Sequence, residues 1–60
     1  MTAKQIVRLL LADGWSAVRQ RGSHQAFKHP TKAGTIVVPM HTGDLAFGTE
    51  RSILKQAGLL

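Results

Sequence analysis

The stretch Arg21-Gly22-Ser23-His24 combines a cation, a tight-turn signal and a histidine. The Gly-Ser pair separates two short runs typical of strands, and glycine accepts the positive φ that a type II′ hairpin turn requires. In the predicted register Arg21 faces His24. Histidine exchanges protons near neutral pH and arginine binds phosphate oxygens, so this pair suits chemistry on a bound phosphate.

The same register assigns every side chain of the hairpin to a face. The remaining predicted pairs are Gln20 with Gln25, Arg19 with Ala26, Val18 with Phe27, and Ala17 with Lys28. Because side chains alternate along a strand, one face collects the charged residues Arg19, Arg21, His24 and Lys28. The other face carries Val18 and Phe27, which we expect to pack inward. Strict alternation puts Trp15 on the polar face, so we expect an irregular start with Trp15 turned into the core.

Length, cysteine content and charge limit the possible classes of protein. Sixty residues make one domain, 1–60, and so short a chain buries only about 60% of its unfolded surface. The chain has no cysteine, which excludes disulfides and thiolate metal sites. Its three histidines and three acids show no zinc-type spacing, so we expect neither metal nor cofactor. The net charge of +5 favours a polyanionic partner.

Targeting signals are not evident in this sequence. Lys4 and Arg8 interrupt the apolar positions of the first eleven residues, unlike a secretory signal peptide. No apolar run approaches the length that spans a membrane. We therefore expect a cytoplasmic protein.

Helical spacing marks both ends of the chain. Thr2 and Gln5 match a capping box, and the apolar residues Ala3, Ile6, Val7, Leu10 and Leu11 follow on one face. Gly14 is placed to end this helix in the left-handed conformation. Thr49 is the predicted cap of a last helix with the apolar face Ile53, Leu54 and Ala57, and Gly58 is its predicted end.

Three strands are predicted between these helices, at 15–21, 24–29 and 35–38, the last ended by Pro39. The element order is therefore α-β-β-β-α. We expect an α+β fold in which both helices cover one face of a three-stranded antiparallel sheet, leaving the other face free for function.

Several motifs resemble those of the HicA toxins, small mRNA interferases of bacterial toxin–antitoxin modules. They are Gly14-Trp15, Arg19 to His24, Phe27-Lys28-His29-Pro30, Val38-Pro39-Met40-His41, Gly48-Thr49 and Arg51 to Leu59. The resemblance covers nearly the whole chain and implies a fold like that of double-stranded-RNA-binding domains. It also implies metal-independent cleavage of mRNA with His24 as the catalytic histidine, and neutralisation by a HicB-type antitoxin.

One stretch departs from the family pattern. Asp44-Leu45-Ala46-Phe47 stands where the family tends to carry lysines, and Glu50 replaces a residue that is more usually apolar. The change removes positive charge near the second helix. Leu45 and Phe47 are expected to pack within the loop, with a protein contact at Phe47 as the alternative.

The candidate site residues follow from the hairpin and from the resemblance. His24 is the candidate catalytic acid or base, and the candidate RNA-binding residues are Arg19, Arg21, Ser23, Lys28 and Lys32. His29 is expected on the opposite face, at the core edge or the surface. His41 follows Pro39 in a loop, either near the site or bonded to backbone.

Two other classes of function remain open at this point. A non-catalytic RNA-binding module would share the fold and the charge, and a histidine after a turn is commonly just an exposed turn residue. An interaction protein could use the same basic face to dock an acidic partner.

Overall fold

The computed structural model describes residues 1–60 and has the predicted element order. The elements are α1 Ala3–Ala12, β1 Ser16–Arg21, β2 His24–Lys28, β3 Ile36–Pro39 and α2 Phe47–Gln56. The strands form one antiparallel sheet in the order β1-β2-β3, with β2 central. This arrangement of two helices and a three-stranded sheet confirms the predicted fold class, which is that of a double-stranded-RNA-binding domain.

The core lies between the two helices and one face of the sheet. Phe27 on β2 and Ile36 and Val38 on β3 point to this inner face, because they occupy alternate positions of the paired strands. Residues of both helices meet them in a single apolar cluster: Ala3, Ile6 and Leu10 from α1, and Ile53 and Ala57 from α2 or its cap. Both helices therefore cover the same face, as predicted, and the opposite face of the sheet stays uncovered. We call that uncovered side the outer face.

The first helix begins and ends as its sequence predicts. The Thr2 side chain accepts from the backbone N–H of Gln5, and the Gln5 side chain accepts from the backbone N–H of Thr2, which completes the capping box. Gly14 adopts a φ of 103° directly after the helix. A Cβ at this position would lie 2.9 Å from Nε2 of His29, so glycine is needed for the close approach as well as for the turn.

A β-bulge at Val18 corrects part of the predicted register. The pairs Arg21–His24, Gln20–Gln25 and Arg19–Ala26 are as predicted, but Phe27 pairs with Ala17 and Lys28 pairs with Ser16. The extra residue shifts the alternation by one position, so that Trp15 faces inward and is only 2% exposed.

The bulge has opposite consequences for the two predictions made at this end of the hairpin. The prediction that Val18 packs inward against Phe27 is wrong, since Val18 is 51% exposed. The expected irregularity that turns Trp15 into the core is confirmed, and it lies within β1 rather than at its start.

The second helix begins earlier than predicted. Its first residue is Phe47 and its N-cap is Ala46, whose extended backbone ends the loop, so Thr49 lies inside the first turn and caps nothing. Glu50 in that first turn places negative charge near the positive end of the helix dipole.

Neither α1 nor α2, each of 10 residues, has the length that a membrane span requires.

A polar cluster joins the β2–β3 loop to the ends of both helices. The Lys32 ammonium donates to Oδ2 of Asp13, at 2.6 Å, and to the carbonyl of Ala57, at 2.9 Å. The hydrogen bond from Lys32 lowers the pKa of Asp13 below its ordinary value, although partial desolvation opposes this shift. The carboxylate also accepts from the indole N–H of Trp15.

His29 completes this cluster from the other side. Its Nε2 lies 2.7 Å from the carbonyl oxygen of Asp13, and its Nδ1 accepts from the backbone N–H groups of Thr31 and Lys32. Since Nδ1 accepts twice, the ring carries its proton on Nε2 and donates it to Asp13. His29 is therefore a structural residue at the core edge, one of the two places that the sequence predicted for it.

Candidate active site

His24 lies at the first position of the central strand, immediately after the tight turn. Gly22 in that turn has a φ of 56° while Ser23 keeps a negative φ, the combination typical of type II′. His24 pairs with Arg21 on one side and with Pro39 on the other. Its side chain is exposed on the outer face. A base or acid at this position is open to a substrate.

The outer face carries the cations that the sequence assigned to it. Arg21 is opposite His24, Arg19 is opposite Ala26, and Lys28 follows two positions beyond Ala26 on β2. None of the three cations forms an ion pair within the chain, since the acids are engaged elsewhere. Asp13 binds Lys32, whereas Asp44 and Glu50 lie against the N-terminal amine. The outer face therefore presents positive charge with no internal neutralisation.

Arg21 and Lys28 lie at very different distances from His24. Four residues of strand span about 13 Å, so Lys28 lies well away from His24, whereas directly paired residues such as Arg21 lie about 5 Å away at Cβ. Between them Ala26 is only 4% exposed, although it belongs to the outer face rather than the core. Its neighbours Arg19 and Val37 cover it from the two flanking strands. Ala26 is thus flanked by a cation on β1 and by the exposed apolar side chain of Val37 on β3.

His41 is the second histidine beside the turn. Its ring centroid lies 6.4 Å from that of His24, with the two ring planes at 81°. The backbone holds this pair together, because His24 pairs with Pro39 and the N–H of Met40 donates to the carbonyl of Ser23. Of the two positions considered from the sequence, the structure shows the one near His24. No group of three metal-ligating side chains gathers around the pair.

A cavity of about 350 Å³ opens next to His41. Its walls are the first turn of α1, including Lys4, and residues 40–43 of the loop after β3. Lys4 was not among the residues predicted from the sequence. The contact that brings it here is the bridge between Thr2 and Asp44, which joins two segments 42 positions apart and leaves no local sequence signal.

Lys32 does not join the other candidate RNA-binding residues. Its ammonium is committed to Asp13 and Ala57, in the helix layer, on the side of the sheet away from the outer face. The sequence shows Lys32 only as a cation in a polar loop, and its partners come from the ends of two distant helices. Lys32 therefore has a structural role in joining the helix ends, and its predicted contact with RNA stays a prediction.

Leu45 and Phe47 behave differently, although the sequence treated them alike. Leu45 is buried in the core cluster, as predicted, but Phe47 is 70% exposed. The Arg51 guanidinium lies 5.5 Å from the centre of the Phe47 ring. The two side chains lie on the solvent-exposed side of α2, so the predicted packing within the loop does not hold for Phe47.

Comparison with known proteins identifies the family. The family model described as "HicA toxin of bacterial toxin-antitoxin" matches residues 3–59, almost the entire chain. The chain belongs to the HicA toxin family. The resemblance inferred from the motifs around His24 and at the C-terminal helix is thereby confirmed.

A solved structure supports the same relationship. The chain is similar to one in a toxin–antitoxin complex from Streptococcus pneumoniae, with 42% sequence identity and a TM-score of 0.83. The match covers 98% of this chain and 98% of that one. No curated protein sequence matched.

Proposed function

We propose that this HicA-family toxin is a metal-independent endoribonuclease that cleaves mRNA with His24 as a proton-transfer group. The observation that carries the proposal is the position of His24 on the outer face, exposed and directly opposite an arginine that has no internal acid partner. Because mRNA is the proposed substrate, the proposed compartment is the cytoplasm.

Cleavage of RNA by its own 2′-hydroxyl requires few protein side chains. The 2′-hydroxyl of RNA must lose a proton, attack the adjacent phosphorus and displace the 5′-oxygen, leaving a 2′,3′-cyclic phosphate and a 5′-hydroxyl. A neutral His24 takes the proton from the 2′-hydroxyl as general base. Arg21, about 5 Å away across the strand pair, stabilises the negative charge that develops on the phosphorane oxygens.

The other outer-face residues position the strand. Lys28, four strand positions from His24, is too far to share its phosphate and binds a flanking phosphate instead. Arg19 lies diagonally across the strand pair from His24, about 7–8 Å away at Cβ, and its long side chain reaches either phosphate, while the exposed hydroxyl of Ser23 donates to an oxygen beside the turn. Lys32 is left out of this set, because its ammonium is already bound to Asp13 and Ala57.

Incubation of total RNA with the purified protein in EDTA tests this function. Fragmentation that disappears in the His24→Gln variant is the expected result, since glutamine keeps the polarity and approximate size of the side chain but cannot exchange the proton. A mobility shift without fragments would instead support the non-catalytic RNA-binding module. If the RNA is neither fragmented nor shifted in mobility, the protein-docking class of function remains.

The partner that we propose is a HicB-like antitoxin. The related Streptococcus pneumoniae chain is part of a toxin–antitoxin complex, and the unneutralised cations of the outer face complement an acidic surface. An antitoxin that covers His24, Arg21 and Lys28 would exclude RNA both sterically and by charge.

Charge reversal tests this interface. Arg21→Glu and Lys28→Glu should each weaken co-purification with the antitoxin and reduce the salt dependence of binding. Lys55→Glu is the matched control, because Lys55 is an exposed cation on α2, in the helix layer. Unchanged antitoxin affinity in both outer-face variants would refute the proposed interface.

A further inference from the structure

His41 shares one surface with His24, and the backbone fixes this arrangement. The two ring centroids are 6.4 Å apart, and the pairing of His24 with Pro39 places His41 two residues beyond the paired position. The hydrogen bond from Met40 N–H to the Ser23 carbonyl ties the start of the loop to the hairpin turn. The proximity of the rings therefore follows from the strand pairing and does not depend on the loop alone.

The spacing suits a single phosphate. In the displacement proposed above, the attacking and leaving oxygens lie on opposite sides of phosphorus, so one group must accept a proton where another group donates one. Two rings 6.4 Å apart leave room for a phosphate whose opposed oxygens each approach one ring within about 3 Å, the range of proton transfer. The carboxylates of the chain lie against other groups: Asp13 against Lys32, and Asp44 and Glu50 against the N-terminal amine.

The surroundings of the two histidines differ in a way that assigns their roles. His24 lies against Arg21 on the sheet, whereas His41 forms part of the wall of the 350 Å³ cavity that also contains Lys4. A cavity of this size accommodates a small ligand such as a nucleoside. If the nucleoside that leaves with the 5′-oxygen occupies this cavity, its oxygen lies beside His41 rather than beside His24.

We infer that His41 is the general acid of the reaction and donates a proton to the departing 5′-oxygen, while His24 accepts the proton of the 2′-hydroxyl. The bond from the 2′-oxygen to phosphorus forms as the bond from phosphorus to the 5′-oxygen breaks. His24 ends protonated and His41 neutral, and exchange with water restores both. This inference rests on the proposed cleavage of RNA at His24.

A substrate with a better leaving group isolates the acid. We compare an RNA of defined sequence with the same RNA carrying sulfur in place of the 5′-oxygen at the cleaved position, because a thiolate leaves without protonation. The His41→Ala variant should cleave the natural RNA about 10²–10⁴-fold more slowly than the wild type. It should cleave the sulfur-containing RNA within about tenfold of the wild-type rate. His24→Ala should be slow on both, and a thermal melt of each variant checks folding.

The outcomes separate this inference from the proposed function. If the wild type cleaves both RNAs but His41→Ala is equally impaired on both, or cleaves the natural RNA at the wild-type rate, His41 is not the acid. His41→Gln provides a second variant that keeps a polar side chain in the loop, and it should repeat the pattern of His41→Ala. If the wild type cleaves neither RNA, it is the proposed nuclease function that fails.

Discussion

Lys28 and Lys32 are chemically identical, but their surroundings in the fold differ. Lys28 is exposed on the outer face without an acid partner, whereas Lys32 joins Asp13 to Ala57 and thereby connects the β2–β3 loop to both helices. From the sequence, both lysines are candidate phosphate ligands. No local sequence pattern shows that Lys32 has partners at the ends of two distant helices. Residue type indicates the chemistry available to each lysine, and the fold determines which groups each one contacts.

Substitution of Lys32 should reveal the ion pair through its pH dependence. Lys32 holds the pKa of Asp13 below its ordinary value, so the pair stabilises the fold above about pH 4 and loses this contribution as the pH falls through the lowered pKa. His29 and the Trp15 indole also face this carboxylate. Lys32→Met should lower the free energy of unfolding at pH 7, and its deficit should shrink in acid.

Urea denaturation between pH 7 and pH 3 measures that difference. Lys28→Met is the matched control and should follow the wild type throughout, since Lys28 has no internal partner. A Lys32→Met protein as stable as Lys28→Met at pH 7 would show that the interaction with Asp13 contributes nothing.

At the scale of elements, the helix and strand types were predictable and some of their junctions were not. The capping box of α1 and the hairpin turn at Gly22 are local patterns, and both predictions were confirmed. The bulge at Val18 follows instead from a competition, in which Trp15 gains burial and Val18 becomes exposed. Burying the larger apolar side chain gives the greater gain, and on the sequence the burial of Trp15 was predicted. The alternation pattern did not show that the irregularity lies at Val18, within the strand.

The start of α2 illustrates the same limit. Threonine is a favoured N-cap, yet the helix begins two residues before Thr49, after an extended Ala46. Burial of Leu45 in the core fixes the end of the preceding loop and so determines where the helix can begin.

The two threonines form a matched pair for a test of capping. Thr2→Ala removes the acceptor for the Gln5 N–H and should cost about 1 kcal/mol in the free energy of unfolding. Thr49→Ala should change it by no more than about 0.5 kcal/mol, because Thr49 is exposed within the helix and makes no cap. Chemical denaturation of both variants measures this; equal losses would argue against the capping assignment.

At the scale of the whole molecule, the charge is unevenly distributed. The net charge of +5 is a property of composition, but the three acids lie away from the outer face, which leaves its cations unneutralised. The sequence predicted this grouping of Arg19, Arg21 and Lys28 from strand alternation. The sequence could not predict that Lys4 lines the cavity beside His41 or that Lys32 binds Asp13, because both depend on how distant segments pack together.

Salt dependence measures how many of these cations bind RNA. With the non-cleaving His24→Gln protein, the logarithm of the affinity for single-stranded RNA should fall linearly with the logarithm of salt concentration. Replacing Arg19, Arg21 or Lys28 by glutamine should reduce the slope by about 0.7 for each phosphate that is no longer bound. Lys55→Gln, on the helix layer, should leave the slope unchanged, and a flat profile for the parent protein would exclude the outer face as the RNA site.

Single-turnover cleavage of a defined RNA in EDTA, by the wild type and by His24→Ala, tests the central claim most directly. His24 is exposed and contributes little to the core, so His24→Ala should alter stability by no more than about 0.5 kcal/mol and should still bind RNA. Loss of one positioned acid–base group commonly costs about 10²–10⁴-fold in rate, and we expect a loss of that order. A folded His24→Ala protein that cleaves at the wild-type rate would contradict the proposed mechanism.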